Sequence, residues 1–575
     1  MRVKQAAPGW RVPAALAALA AASGCASEPQ SVEWRCEVAE GAVAEPVSAV
    51  EARVLRGGCA STDVVYATSF APGEGAPRPP VLQPGRYGLQ CRFGDSRCRW
   101  VAERCQDVVL PLGDRADLTV IAGAATPVAA CDEEMCLDGL CTGPDGGTAD
   151  AGLDASGCSP DEIACLGDDV ATCVDGAWVA TASCTLGCGG MPASCLELVP
   201  SNVGDRVALD ASAMPFVVSD DLVFHTDDGH IETLAGGTVR PAGVGDIGGA
   251  HFERLPPVSP GGAELGVFAV GSLTVDEGAR LVGVGAPALV ILSAGDVTID
   301  GAVRVDAVWL VEEHKGDAGS DPVAAGSPGG TATEPGLGPG GGGGGSGRAG
   351  GDDEDEGGGG GGSFGPSGGA GGGTGGGTPS APYGEPALVP LVGGSGGGGG
   401  AGSGGEDGGG GGGALQITSG GTITVGPTGV VSAHGGGGLA AGGTAALPRH
   451  GAGGGGGSGG AALLEAAVVT IAGAVAANGG GGGGGSRRGL SGQDGDHGSE
   501  IEVPSQGGEP GGAAGSGAEG VAAAGSVVEQ RGGGGGGGAG RIRINTARGT
   551  ESFTLLPSTT SGAASVGSVR TAPPP

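Results

Sequence analysis

Aromatic side chains are nearly missing from this chain. They make up 3% of its 575 residues, while glycine fills 137 positions, and that shortage of bulk rules out one large conventional core. Lysine is scarce as well: after Lys4 the sequence holds only Lys315. With a formal charge of −35 and no basic patch, the protein is expected to repel nucleic acid and anionic lipid head groups. No CxxC occurs and no histidine lies between the cysteines, so the usual zinc frameworks are not in the sequence. No apolar run is long enough to cross a bilayer as a helix. Membrane attachment would have to be by lipid.

The first residues, MRVKQAAPGWRVPAALAALAAASGC, place Arg2, Lys4 and Arg11 ahead of a short apolar run from Val12 to Ala22. This is the pattern of an export signal over residues 1–24. Ala22-Ser23-Gly24-Cys25 resembles the bacterial lipobox, with alanine where leucine is usual. The resemblance implies that Cys25 becomes a lipid-bearing N-terminus, followed by a tether over 25–30; plain signal-peptidase cleavage nearby is the alternative. Ala26 stands where such lipoproteins carry an Asp for inner-membrane retention, so the implied address is the outer membrane or cell surface. Losing Arg2, Lys4 and Arg11 makes the mature chain three charges more negative than −35.

Setting Cys25 aside leaves an even number of the fifteen cysteines: Cys36, Cys59, Cys91, Cys98, Cys105, Cys131, Cys136, Cys141, Cys158, Cys165, Cys173, Cys184, Cys188 and Cys195. An exported chain can pair all of them. Residues 31–123 show short strand-like runs punctuated by Gly and Pro, which predicts a small disulfide-tied β-sandwich-like domain. A short cysteine segment and an Asp/Ala/Gly linker follow over 124–157. Residues 158–198 hold six cysteines in a segment too short to stand by burial alone, with Trp178 as the expected core aromatic. The connectivity stays open.

Beyond residue 199 cysteine disappears and a repeat emerges. LTVDEGARL (273–281), VTIDGAV (297–303), ITVGPTGVV (423–431) and VTIAGAV (469–475) each begin apolar-Thr-apolar, turn near a glycine and resume apolar; LVIL (289–292), LQIT (415–418) and ALLEA (462–466) precede three of them, and RIRIN (541–545) opens a last turn. The fold class predicted is mainly β: small disulfide-tied modules, then a parallel β-helix over 199–556 with long glycine-rich insertions at 316–413, 435–460 and 479–538, and a tail over 557–575. Stacking would put Val297, Ile299 and Val303 over Ile423, Val425 and Val431, and those over Val469, Ile471 and Val475. Thr274, Thr298, Thr424 and Thr470 would form an outward ladder. The exit and return points of the 316–413 insertion should lie close in space.

Two readings of the glycine tracts compete. Glycine loses the most backbone freedom on folding, and interruptions such as DDEDE (352–356) are irregular, which favours floppy surface loops. The other reading is extended threefold polyglycine helices packed side by side. GxGxxG recurs by composition alone, and GGSGG around Ser395 and Ser458 lacks the strand-turn-helix setting of a nucleophile elbow.

Polar clusters are few. His225, Asp227, Asp228 and His230 in FHTDDGHIE could meet around a metal, although Asp-Asp-Gly is also a plain turn. Glu312, Glu313, His314 and Lys315 form the densest ionisable group and the best acid/base set for a polysaccharide-cleaving enzyme, against the plainer reading of a solvated loop entry. DDEDE suggests at most loose calcium binding. No cofactor motif is present.

Lipobox, cysteine modules, Asp/Ala/Gly linker and segments such as VTIAGAVAANGGGGGGG and GGGGGAGRIRIN together resemble large glycine-rich surface lipoproteins of GC-rich Gram-negative bacteria. That resemblance covers most of the chain and its motifs are structural; the likeness to β-helical adhesins is one of architecture. It implies a lipid-anchored structural or adhesive protein, not an enzyme, whose partners are the membrane and envelope or extracellular polysaccharide or surface proteins. The alternatives are an exported β-helix polysaccharide lyase or hydrolase, and a largely disordered glycine-rich coat component. Carbohydrate sites usually offer aromatic platforms, and after Trp309 only Phe364, Tyr383 and Phe553 remain.

Overall fold

The computed structural model describes residues between 33 and 573; the longer segments outside the described set are 1–32, 39–46, 71–84, 111–116, 130–135, 142–157, 208–213, 308–322, 348–355, 443–450, 487–491, 500–505 and 508–521. Every element named among the described residues is a strand, as the alternating apolar runs and the turn residues between them demand. The described chain forms two compact units, Met1–Ser156 and Gly157–Pro575.

In the first unit, six strands make one sheet in the order Glu33–Val38, Asp117–Ala129, Arg99–Leu110, Gly85–Asp95, Val47–Arg56, Val64–Phe70. In a flat sheet the first and fourth of these would stand ~14 Å apart. Yet Cys36 and Cys91, one on each, are disulfide-bonded with a Cα–Cα distance of 5.7 Å. The sheet must therefore curl until its two halves face each other, enclosing Ala52, Leu89, Ala102, Val120 and Ala122. The expected sandwich-like packing comes from one curled sheet. Cys59–Cys105 adds a second tie.

The second unit opens with the six-cysteine module, closed by Cys158–Cys173, Cys165–Cys188 and Cys184–Cys195. Trp178, opposite Cys173 in an antiparallel pair, is only half-buried. The strands here are too short to cover an indole, so disulfides rather than an aromatic hold the module.

Three sheets make up the rest. Sheet 1 has six strands in spatial order from Pro215–Val218 to Phe553–Leu555; sheets 2 and 3 have eight each, from Thr238–Arg240 to Thr559–Ser561 and from Gly245–Ile247 to Ala563–Ser568. Successive passes of the chain add one strand to sheet 3, one to sheet 1 and one to sheet 2, each parallel to the strand before it. The expected register holds: Val297 pairs with Ile423 and that with Val469, Ile299 with Val425 and Ile471, Val303 with Val431 and Val475. Thr274, Thr298, Thr424, Thr470 and Thr554 form the ladder. All the paired valines and isoleucines are fully buried in one column. At the turn into sheet 2, a Cβ on Gly301, Gly429 or Gly473 would stand 2.1–2.2 Å from a carbonyl oxygen, so this corner admits glycine alone.

The inner strands of sheet 3, Leu265–Val270, Ala288–Ser293, Ala414–Ser419 and Ala461–Glu465, are buried on both faces, which is why they are largely apolar. Leu289 and Ile291 point into the column, whereas Val290 and Leu292 pack outward against Phe364, Leu388, Leu391 and the segment bearing Val203 and Val207. That segment straps the sheet. Glu197–Val199 pairs with Arg570–Ala572 at one end, Ser201 and Asn202 bond Glu465 and Gln416 in mid-sheet, and Arg206 reaches the Pro256 carbonyl at the other. Glu465 is fully buried and accepts from Ser201, Gln416, Thr418 and Asn545. The pass of strands runs on through Ser568, so the 557–575 segment is no free tail: Thr559–Ser561 ends sheet 2 and Ala563–Ser568 ends sheet 3.

The insertions all leave after a sheet 2 strand and return at a sheet 3 strand. Gly413 donates to Val305 at 2.7 Å, so exit and return are adjacent. The floppy-loop expectation is overturned where the insertions are described. In the run 357–363, Gly357, Gly360 and Ser363 donate to Ser346, Gly343 and Gly340; Gly358 and Gly361 donate to Gly372 and Gly369; Gly359 and Gly362 donate to Gly453 and Gly456. Every third amide faces the same neighbour, the signature of a helix with three residues per turn and no internal ladder. Run 452–460 repeats the scheme against Ala401, Gly398 and Ser395, against Gly532, Gly535 and Gly538, and against Leu439, Gly436 and Ala433. A Cβ on Gly361 or Gly457 would sit 1.9 Å from the Gly536 or Gly410 oxygen. Entropy favoured loose loops; the cross-bonds between neighbouring tracts, which no single tract reveals, offset it.

Candidate functional site

The first strand of sheet 2 to join the column, Leu222–His225, turns back through Thr-Asp-Asp-Gly into Ile231–Thr233. Val223 stands opposite Glu232 and Phe224 opposite Ile231. Phe224 and Ile231 face the core, which sends the alternate residues His225, His230 and Glu232 to the outer face. There the two imidazoles stack with centroids 5.2 Å apart and planes at 28°. His225 Nε2 lies 3.0 Å from Glu232 Oε1, and His230 Nε2 lies 3.4 Å from Thr238 Oγ1 on the next strand. One nitrogen from each imidazole and one carboxylate oxygen fall within 4.8 Å of one another.

Of the four residues singled out in FHTDDGHIE, the structure unites two. Asp227 turns away and accepts from the Ala286 amide at 3.2 Å. Asp228 accepts from the His230 amide at 3.0 Å and so closes the turn. Glu232 takes their place. Its position was readable from a tight turn, since residues 230 and 232 then share a face.

Arg240 holds this hairpin from behind and had no sequence signal. It is fully buried and donates to the carbonyls of Gly229, Pro241, Gly243, Gly245 and Ala250, with its guanidinium 5.5 Å from the Phe252 ring centroid. Burial lowers its pKa, against which the charges of Asp228 and Asp246 work. Thr226 Oγ1 adds a bond to the Val284 carbonyl at 2.9 Å. The turn between His225 and His230 is thus built on a fixed frame.

Glu312, Glu313, His314, Lys315, Cys25, Cys98 and Cys131 lie outside the described residues, as do the side chains of Cys136 and Cys141 and residues 352–355 of DDEDE. Glu356, the last of that run, points inward to Arg531, 3.7 Å away. Phe364 and Tyr383 offer no sugar platform: they pair at 4.8 Å and pack on sheet 3. No helix among the described residues is long and apolar enough to cross a membrane. No protein-family model, curated protein or solved structure matches the chain.

Proposed function

We propose that this protein is a lipid-anchored component of the outer membrane or cell surface with a structural or adhesive role, and that its second unit is a parallel β-helix carrying a polyglycine layer on one flank. The observation that carries the reading is the cross-bonding of the glycine insertions. A polypeptide displayed outside the cell meets proteases without chaperone rescue, and cross-bonded glycine runs such as 357–363 and 452–460 leave fewer open segments to cut than loose loops would. The column and the layer share backbone hydrogen bonds, so the displayed body acts as one stiff piece. Among the described residues, ten cysteines in five disulfides suit an oxidising, exported environment. Envelope polysaccharide and surface proteins are the partners this architecture suits, through side chains that face outward in register.

Anchoring rests on the Cys25 sulfur. Cys25→Ser is expected to release the protein into the soluble fraction and abolish palmitate labelling; continued membrane retention of the variant would contradict the assignment. Absence of catalysis is tested separately, by incubating the purified protein with neutral and acidic polysaccharides. No cleavage is expected, and one reproducible turnover lost in Glu312→Gln or Glu313→Gln would replace this reading with the enzymatic one.

A further inference from the structure

We infer that His225, His230 and Glu232 form a binding site for a divalent transition metal of the zinc class, with an open coordination position. Two imidazoles and a carboxylate are a sufficient donor set for Zn²⁺, whose open sites keep three protein ligands and leave a fourth place for water. Hard cations such as Ca²⁺ and Mg²⁺ call for oxygen-rich shells, which this face does not offer.

The geometry favours capture. Metal–nitrogen bonds of about 2.0–2.1 Å put tetrahedral ligand atoms about 3.3 Å apart. His225 Nε2 and Glu232 Oε1 already stand at 3.0 Å, held by a proton that a metal ion would displace. The widest separation in the set is within 4.8 Å, so closing it takes modest side-chain rotation. The side chains of His225 and Glu232 are 34% and 30% exposed, which leaves them free to rotate without opening the core.

The backbone beneath them is not free. Leu222–His225 is in register with Arg280–Val284, Asp228 closes the turn, and Arg240 grips the Gly229 carbonyl at 2.6 Å. The backbone positions of the ligands are thus set before the ion arrives, and binding has only three side chains to order. The strongly negative chain also raises the local concentration of cations.

Another histidine among carboxylates lies on the strand Ala250–Leu255. His251 faces Asp246 at 3.0 Å and Glu253 at 3.9 Å, so it too is a histidine among carboxylates. It lacks a second imidazole, and its Asp246 side chain is 90% exposed. It therefore serves as the control.

The test uses the purified, full-length protein without a histidine tag, with Co²⁺ as the spectroscopic probe and Zn²⁺ as competitor. The expected result is visible d–d absorption from Co²⁺ that Zn²⁺ abolishes, at one ion per chain. Altering even the outer partners of metal ligands costs roughly 10–100-fold in affinity, so His225→Ala with His230→Ala should weaken binding by at least that much, and Glu232→Gln should weaken it too. Asp227→Asn and His251→Ala should leave the affinity unchanged. Far-ultraviolet circular dichroism and the melting profile should match the parent in every variant, because none of these side chains enters the core. Failure of the parent to bind Co²⁺, or equal binding by the double histidine variant, overturns the assignment.

Discussion

Arg240 concentrates the demands of one end of the fold in a single side chain. Its guanidinium satisfies five carbonyls that turn inward where the hairpins close the column. Arg240→Met keeps the bulk but orphans those oxygens, and leaving buried polar groups unpaired costs ~1–3 kcal/mol each at most sites. A loss of about 3 kcal/mol or more is expected in denaturant melts of the second unit; a change within error would show that water replaces the cation. Tyr383 makes a different demand. Its hydroxyl donates to the Gly393 carbonyl and receives the Ser395 hydroxyl at 2.8 Å, and burial pushes the phenol well above its ordinary value. A raised acid contributes stability that is full below the unfolded pKa, near 10, and is lost as pH rises toward the folded value. The melting temperature should therefore fall above about pH 10, and Tyr383→Phe should flatten part of that fall. Glycines grade by the space they have. Gly361→Ala would put a Cβ 1.9 Å from a carbonyl, whereas at Gly436 the nearest atom is 3.2 Å away. The first is expected to cost ~1–3 kcal/mol or more, the usual range for overpacking, and the second much less.

At the scale of the element, the glycine insertions carry stability that a loop would not. Removing 316–412 leaves an easy junction, since Val305 and Gly413 already touch. It also strips the partners of Ala452, Gly455 and Ser458 and of Gly535 and Gly538. The shortened protein is expected to melt earlier and less cooperatively; an unchanged melt would mean that the layer adds nothing to the column. The apolar-Thr-apolar runs were legible because their period is local: a strand of this kind shows its inward and outward residues within four positions. The glycine layer was not, because the partner of Gly360 is Gly343 on one side and Gly398 on another, and homopolymer sequence carries no register. Arg240 was illegible for the same reason, its five acceptors being backbone atoms. In FHTDDGHIE the histidines could be read and the choice of Glu232 over the aspartates turned on the turn geometry. Disulfide pairs such as Cys36–Cys91 depended on a curl of the sheet that spacing does not encode.

At the scale of the whole molecule, two kinds of order share one chain. The three sheets bury apolar side chains in a column, and the flank replaces side chains with backbone hydrogen bonds in three directions. The layer's described amides are buried like those of the strands, so local opening should require the free energy that opens the column. Hydrogen–deuterium exchange of the intact protein, read by mass spectrometry over peptides covering 357–363, 452–460 and 532–540, tests this most directly. Protection comparable to that of Ala288–Ser293 and Ala414–Ser419 is the expected result. Complete exchange of the three glycine runs within seconds, while those strands stay protected, would contradict it.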